Sequence, residues 1–483
     1  SEMCIRDRFK GMTAGFSKII YNDINPAFTF ITTSILRGLH IPRDSLEEHM
    51  NKLKQQLLSS RILLDLSKVN EKTSFIYKIA YNQQIILNKE KEKIDLRLKK
   101  KELNEVAKVI IRVLRYKKTT TFSSLREKTF KYLKNYSKLK SRTLFSFVLN
   151  RLIQKGVVGK EIRRDYFILS SSIDSPRDVK LLKIDENLDK LFEKKEKKYR
   201  HVIEESVFSH VLQYPNGKHY KKAEGAKTIG DLYSNWSKIM LSLIWKKIEE
   251  FPVQNSDITN VLKVCFLASL YDSSLMQMPH KSGWIIKSFW IPYPCGTKNP
   301  LYVFIKKMKH FLSVYDSLRS QIKEQTEIQI FNKDILDFTG RELKDKPDLV
   351  ITHPPYFSTI QYGELSTIWS SWLNCKIPFE KEIIQNQQQG KSRDVYLSLL
   401  RKALEKISFL SRKDADIILI FQSKNQRDWE LLDKVLLDAP LELKQIRCYR
   451  RNSWWGSKHI FNVGDFDYVF IFKNKGGEKC QEP

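Results

Sequence analysis

The last third of this chain alternates short apolar runs with amphipathic stretches, and few folds accept that rhythm. Glu327–Phe331, Asp348–His353 and Ala415–Phe421 read as strands, being short, apolar and rich in β-branched residues. Tyr396–Leu410 and Asp428–Asp438 have helical spacing. Leu441–Arg447 and Asp467–Lys473 (DYVFIFK) read as further strands. Strand and helix in alternation predict an α/β sheet covered on both faces.

The most informative of these strands runs Asp348-Leu349-Val350-Ile351-Thr352-His353-Pro354-Pro355-Tyr356-Phe357. Two prolines cannot continue a sheet ladder, so His353 is left at the carboxyl end of a buried strand. Ligands bind at that end in open α/β sheets. A strand that merely stops at Pro-Pro is the other reading.

Near the start, Lys18–Tyr21 reads as a buried strand that runs into Asn22-Asp23-Ile24-Asn25-Pro26. A carboxylate at the end of a second Rossmann strand is placed to accept hydrogen bonds from a ribose diol, which singles out Asp23. A plain Asx turn accounts for the same residues. Pro26 suits the first turn of a helix over Ala27–Leu36. A first strand and a glycine-rich loop are not found before this point, so the domain is expected to begin inside its cofactor half. Ser45–Leu66 is helical in pattern, Thr73–Leu87 reads as a small hairpin, and Lys89–Lys101 is a charge run.

Residues 103–170 form a separable α+β unit. Leu103–Tyr116 is amphipathic, Ser124-Leu125-Arg126-Glu127 is a capping-box pattern, and Ser141 caps a third helix that Gly156 stops. Val157–Ile162 and Asp165–Leu169 then make a hairpin with Arg163 and Arg164 near its tip. Three helices and a basic hairpin resemble a winged helix-turn-helix. Lys138, Lys140, Arg142 and Arg151 near the third helix, with Lys160, Arg163 and Arg164 on the hairpin, are the residues that would meet DNA phosphates. A protein-docking winged helix has the same outline. The organisation expected is therefore 9–60 as the first part of an α/β domain, 61–102 as linker, 103–170 as insert, 171–226 as charged helix and loop, and 227–475 as the main α/β part. Within these, Tyr214–Lys227 reads as a loop, and Leu232–Ile248, Ile258–Met276 and Leu301–Gln321 as helices.

Across 483 residues, 85 Lys and Arg face 55 acids, a formal charge of +30. That excess suggests a polyanion, nucleic acid before an acidic membrane surface, although a basic solvated surface gives the same number. The six cysteines have no C-x-x-C spacing, which argues against a structural metal site and fits a reducing, cytoplasmic compartment. No apolar run is long enough for a membrane span.

His353-Pro354-Pro355-Tyr356, the continuation Ile360-Gln361-Tyr362-Gly363-Glu364-Leu365, the Asn22–Pro26 motif and the closing strand together resemble one family. It is the prokaryotic site-specific DNA amino-methyltransferases, whose signature is an S/D/N-P-P-Y turn after the fourth strand. The resemblance spans about residues 10–37 and 227–473. It implies a Rossmann-like class I methyltransferase sheet, S-adenosylmethionine as cofactor, and double-stranded DNA as partner. It also admits a cognate restriction endonuclease as partner. It implies catalytic roles for His353, Pro354, Pro355 and Tyr356, and cofactor contacts for Asp23, Asn25 and Asp334. Two departures stand out. The family's F-x-G-x-G loop is missing, and His353 stands where the family has Ser, Asp or Asn.

The exocyclic amine of adenine or cytosine is a poor nucleophile, so a catalyst must accept hydrogen bonds from it and hold it in line with the methyl group. The resemblance gives that role to position 353 and a turn carbonyl at Pro354, and base stacking to Tyr356. Two classes stay open: a DNA amino-methyltransferase, and a DNA-binding protein whose methyltransferase fold is catalytically silent.

Overall fold

The computed structural model describes residues 16–60, 63, 75–76, 109–110, 119–121, 129–130, 158–161, 166–169, 197–221, 223, 226–276, 289, 291, 297–320, 326–423, 425–450 and 466–476. The strands in chain order are β1 (Lys18–Asn22), β2 (Phe75–Ile76), β3 (Thr119–Thr121), β4 (Val158–Glu161), β5 (Tyr166–Leu169), β6 (Thr297–Lys298), β7 (Glu327–Phe331), β8 (Leu349–Thr352), β9 (Asp416–Phe421), β10 (Leu441–Arg450) and β11 (Phe466–Asn474). The longer helices are α1 (Pro26–Gly38), α2 (Arg43–Ser59), α3 (Asn235–Glu249), α4 (Ser256–Leu270), α5 (Pro300–Arg319), α6 (Tyr362–Trp372), α7 (Arg393–Leu410) and α8 (Gln426–Asp438). The chain is a mixed α/β protein, as its rhythm predicts. Among the described residues no helix is long and apolar enough to cross a membrane.

Local chemistry sets the helix starts. Asn25 precedes Pro26, and its side-chain oxygen accepts from Ala27 N at 3.1 Å and Phe28 N at 3.4 Å. Asn299 before Pro300 repeats the device, accepting from Leu301 N at 3.0 Å. An Asn cap satisfies orphan amides, while proline at the first position has no amide to leave unpaired. Ser392 and Asn425 cap α7 and α8 in the same way.

β8 pairs in parallel with β9, and β11 pairs antiparallel with both β9 and β10, giving the order β10-β11-β9-β8. β1 pairs in parallel with β7. Along β9, Ile417, Leu419 and Phe421 are all 0% exposed, while the residues between them are half-buried. The period of two thus turns one face of β9 wholly into a core shared with α7, α8 and β11. A second and larger core joins α1 to α6.

The sequence predicts β1 and β8 as buried strands, and both are only half-buried. Ile351 in β8 is 59% exposed. The reason is pairing: among the described residues β8 has a sheet neighbour on one edge only, β9, and β1 has only β7. A parallel strand is buried on both faces when neighbours and helices flank it on both sides.

In the 103–170 region β4 and β5 form the expected antiparallel hairpin, and β3 adds a third strand beside β5. The three helices expected there fall outside the described residues apart from two short helical fragments, 109–110 and 129–130. Phe75–Ile76 pairs antiparallel with Thr297–Lys298; the rest of the hairpin expected over 73–87 lies outside the described residues.

Candidate functional site

β8 ends at Thr352, and the next five residues turn sharply into the core under α7. His353 Nε2 and the Tyr356 hydroxyl are hydrogen-bonded, with the rings 5.1 Å apart and nearly perpendicular. Tyr356 is buried and lies edge-on to Phe421 at 5.1 Å. The Pro355 carbonyl accepts from the Tyr396 hydroxyl at 2.6 Å. His353, Pro354 and Pro355 are half-buried.

Phe357 follows with φ of 47°, in the left-handed region that a bulky side chain rarely adopts. Such strain persists only where the surroundings over-determine it. They do here. Its ring lies 4.8 Å from Tyr396 and 6.0 Å from Phe421, and the Arg393 guanidinium stands 5.4 Å from its centre. Its carbonyl accepts from Gln385 N at 3.2 Å. Arg393 is itself held by Asp428 at 3.2 Å.

Asp23 and Asp334 lie together at the carboxyl ends of the adjacent parallel strands β1 and β7. Asp23 N donates to Phe331 O at 3.2 Å, and Asn332 Nδ2 donates to Asp23 O at 2.7 Å, so the two strand ends are stitched. The Asp23 carboxylate accepts from the Tyr21 hydroxyl at 2.7 Å and Asn25 N at 2.9 Å. Asp334 is buried and accepts from Leu336 N at 3.0 Å. Asn25 is committed to structure: besides capping α1, its Nδ2 donates to Ser366 Oγ on α6 at 2.7 Å. That bond, with Phe28 lying 5.7 Å from Trp369, ties the end of β1 to the helix that follows the His353–Phe357 turn.

Of the predicted DNA-contacting residues, Lys160 lies on β4, and Lys138, Lys140, Arg142, Arg151, Arg163 and Arg164 lie outside the described residues.

Sequence reasoning missed a buried polar network behind the turn. Glu364, in the first turn of α6, is fully buried and accepts a hydrogen bond from the Tyr214 hydroxyl. Asn386 Nδ2 donates to that hydroxyl at 2.7 Å and to Gln361 Oε1 at 2.6 Å. Gln361 Nε2 points at the Ser358 and Gln385 carbonyls, both at 3.4 Å. Glu382 accepts from Gly363 N at 2.8 Å. Burial pushes the Glu382 carboxyl up and the Lys391 amine down, so both buried groups are shifted toward neutrality. Lys391 Nζ donates to the Phe379 and Glu382 carbonyls. The only signal in the sequence was a pair of tyrosines, 214 and 220, inside a stretch whose Pro, Gly and Lys read as plain loop.

No protein-family model and no curated protein matches this chain.

Proposed function

We propose that this chain methylates an exocyclic amine of DNA, adenine N6 or cytosine N4, with S-adenosylmethionine as methyl donor. On this reading the sheet is of the Rossmann-like class I methyltransferase kind, and 103–170 is a winged-helix-like insert that contacts DNA. One observation carries it. The His353-Pro354-Pro355-Tyr356 turn sits at the carboxyl end of a parallel strand, and the next residue is locked in the left-handed region. Strain held by surrounding contacts at the ligand-binding edge of a sheet is a mark of function.

The residues fit the donor. Asp23 and Asp334 are two acids at neighbouring strand ends, and a carboxylate accepts hydrogen bonds of the kind that a hydroxyl or an amino group donates. Asp23 would hold a ribose diol and Asp334 an adenine amino group. The donor supplies an electrophilic methyl group. His353, as a neutral imidazole, accepts a hydrogen bond from the target amine, and the Pro354 carbonyl accepts another. Tyr356 offers its ring to the flipped base. Because its hydroxyl is bonded to His353 and its ring is buried on Phe421, base entry has to break that bond.

The same bond favours the second reading, a silent DNA-binding fold, since it occupies a His353 nitrogen that catalysis needs. Methyl transfer to duplex DNA by the protein, His353→Ala and His353→Asp, from about pH 5.5 to about pH 8.5, separates the two. Activity of the native protein should fall toward acid pH, because imidazolium has no acceptor. His353→Ala should abolish turnover with little change in DNA affinity. Transfer by His353→Asp alone identifies a decayed enzyme, and transfer by none of the three removes the catalytic reading.

A further inference from the structure

The stretch that sequence reads as a loop is a small hairpin pinned to the segment that holds Phe357 of the His353–Phe357 turn. Gln213 and His219 form an antiparallel bridge, and Tyr214 N donates to Lys218 O at 2.8 Å. Pro215, Asn216 and Gly217 make the tip, with Gly217 N donating to Tyr214 O at 2.9 Å and Gly217 at φ of 79°. That is the three-residue hairpin loop in which a left-handed glycine closes the turn.

Burial divides its side chains. Tyr214 and Tyr220 point inward, 1% and 4% exposed, and anchor on Glu364 and Thr367 of α6. Lys218, His219 and Lys221 are exposed. Asn216 Nδ2 donates to the Gln388 carbonyl at 2.7 Å, so the tip is pinned to the segment whose Gln385 holds Phe357. The same segment leads to Arg393, which stands over Phe357. The hairpin that carries these cations is thus hydrogen-bonded to the segment that holds Phe357.

We propose that this hairpin is a phosphate clamp, in which Lys218 and Lys221 grip the backbone of duplex DNA next to the base presented to the turn. The inference deepens the DNA reading above and rests on it. It assigns a contact that is separate from the basic residues of the 103–170 insert. Cations on a folded hairpin that meet phosphates set the register of the duplex without reading its sequence.

The test is fluorescence anisotropy of a labelled duplex of about 20 base pairs, titrated with the protein between about 50 and 200 mM salt. Lys218→Glu/Lys221→Glu should weaken binding about ten-fold or more at the lower salt, and reduce the slope of log affinity against log salt by about 2. Lys218→Gln/Lys221→Gln should shift both in the same direction by less. Lys306→Glu/Lys309→Glu, two exposed positions on α5, changes the net charge equally and should leave the slope nearly unaltered. If the hairpin and α5 variants weaken binding alike, or the hairpin variant binds like the native protein, the clamp is overturned while DNA binding stands. If the native protein ignores duplex DNA at about 50 mM salt, the clamp and the DNA reading fall together.

Discussion

Tyr214 and Glu364 are 150 residues apart in the chain, and the hydroxyl of the first donates to the carboxylate of the second in a fully buried position. A carboxylate so deep is tolerable only with hydrogen bonds to it, and the tyrosine is one that a distant segment provides. Burial, then the bond to Glu364, pushes the Tyr214 phenol far above its ordinary range, so the hydroxyl stays protonated and remains a donor at any physiological pH.

Tyr214→Phe should therefore be costly although the ring still fits. Its contacts with Tyr220 at 5.0 Å and Phe379 at 5.5 Å survive, while Glu364 loses a donor and Asn386 an acceptor. A loss of about 2–3 kcal/mol in chemical denaturation is expected, the penalty for stranding buried polar groups. Glu364→Gln added to Tyr214→Phe should recover part of it, since an amide costs less to strand in the core than a carboxyl group that can ionise.

Gly38 closes α1 where it crosses α4. A Cβ there would stand 2.4 Å from Val261 Cγ2, too close for the helices as they sit. Gly38→Ala should cost about 1–3 kcal/mol in thermal or chemical unfolding. Gly38→Ala with Val261→Ala should recover much of that strain, because the clashing methyl is removed.

Phe357 makes an unusual comparison available. Alanine normally outranks glycine in folded positions, by about 0.5–1 kcal/mol in helices and strands. At φ of 47° the order should reverse or vanish, so Phe357→Gly should be at least as stable as Phe357→Ala. Both should fall about 3–5 kcal/mol below the native protein through the lost ring. An alanine variant clearly more stable than the glycine variant would show that the backbone is not held left-handed.

Glu382 gives the pH dependence. Burial raises its folded-state pKa, with Glu364 adding in the same direction and the Gly363 amide and Lys391 opposing. From the ordinary value of 4.5 upward, the unfolded chain releases a proton that the folded one retains. Stability from this group is present below that value and declines as pH rises, until the folded carboxyl ionises too. Glu382→Gln keeps an oxygen for Gly363 N but cannot titrate. Its melting temperature should exceed the native value near neutral pH, and its melting curve should lose that part of the acid-side slope.

Much of the frame was legible from local pattern. The strand at 327–331 is where the sequence predicts it, and Asn-Pro at 25–26 and 299–300 starts α1 and α5. These features depend on side-chain period and on capping within a few residues, which a linear reading captures. The segment 362–372 was noticed for its resemblance and not for its fold, yet α6 became the wall on which Tyr214, Tyr220 and Asn25 converge.

By itself the sequence determined an α/β chain, a Pro-Pro turn with His353 at a strand end, acids after β1 and β7, and an excess of positive charge. Only the tertiary structure decided that Phe357 is left-handed, that Tyr356 is bonded to His353, and that Asn25 spends its side chain on α1 and α6. It alone put a lysine-bearing hairpin against residues 386–388, and it left β8 with one sheet neighbour among the described residues. The physical reason is range. Propensity, periodicity and caps act over a few residues, whereas a buried carboxylate finds its donor, and a strand its neighbour, only once distant segments have packed together.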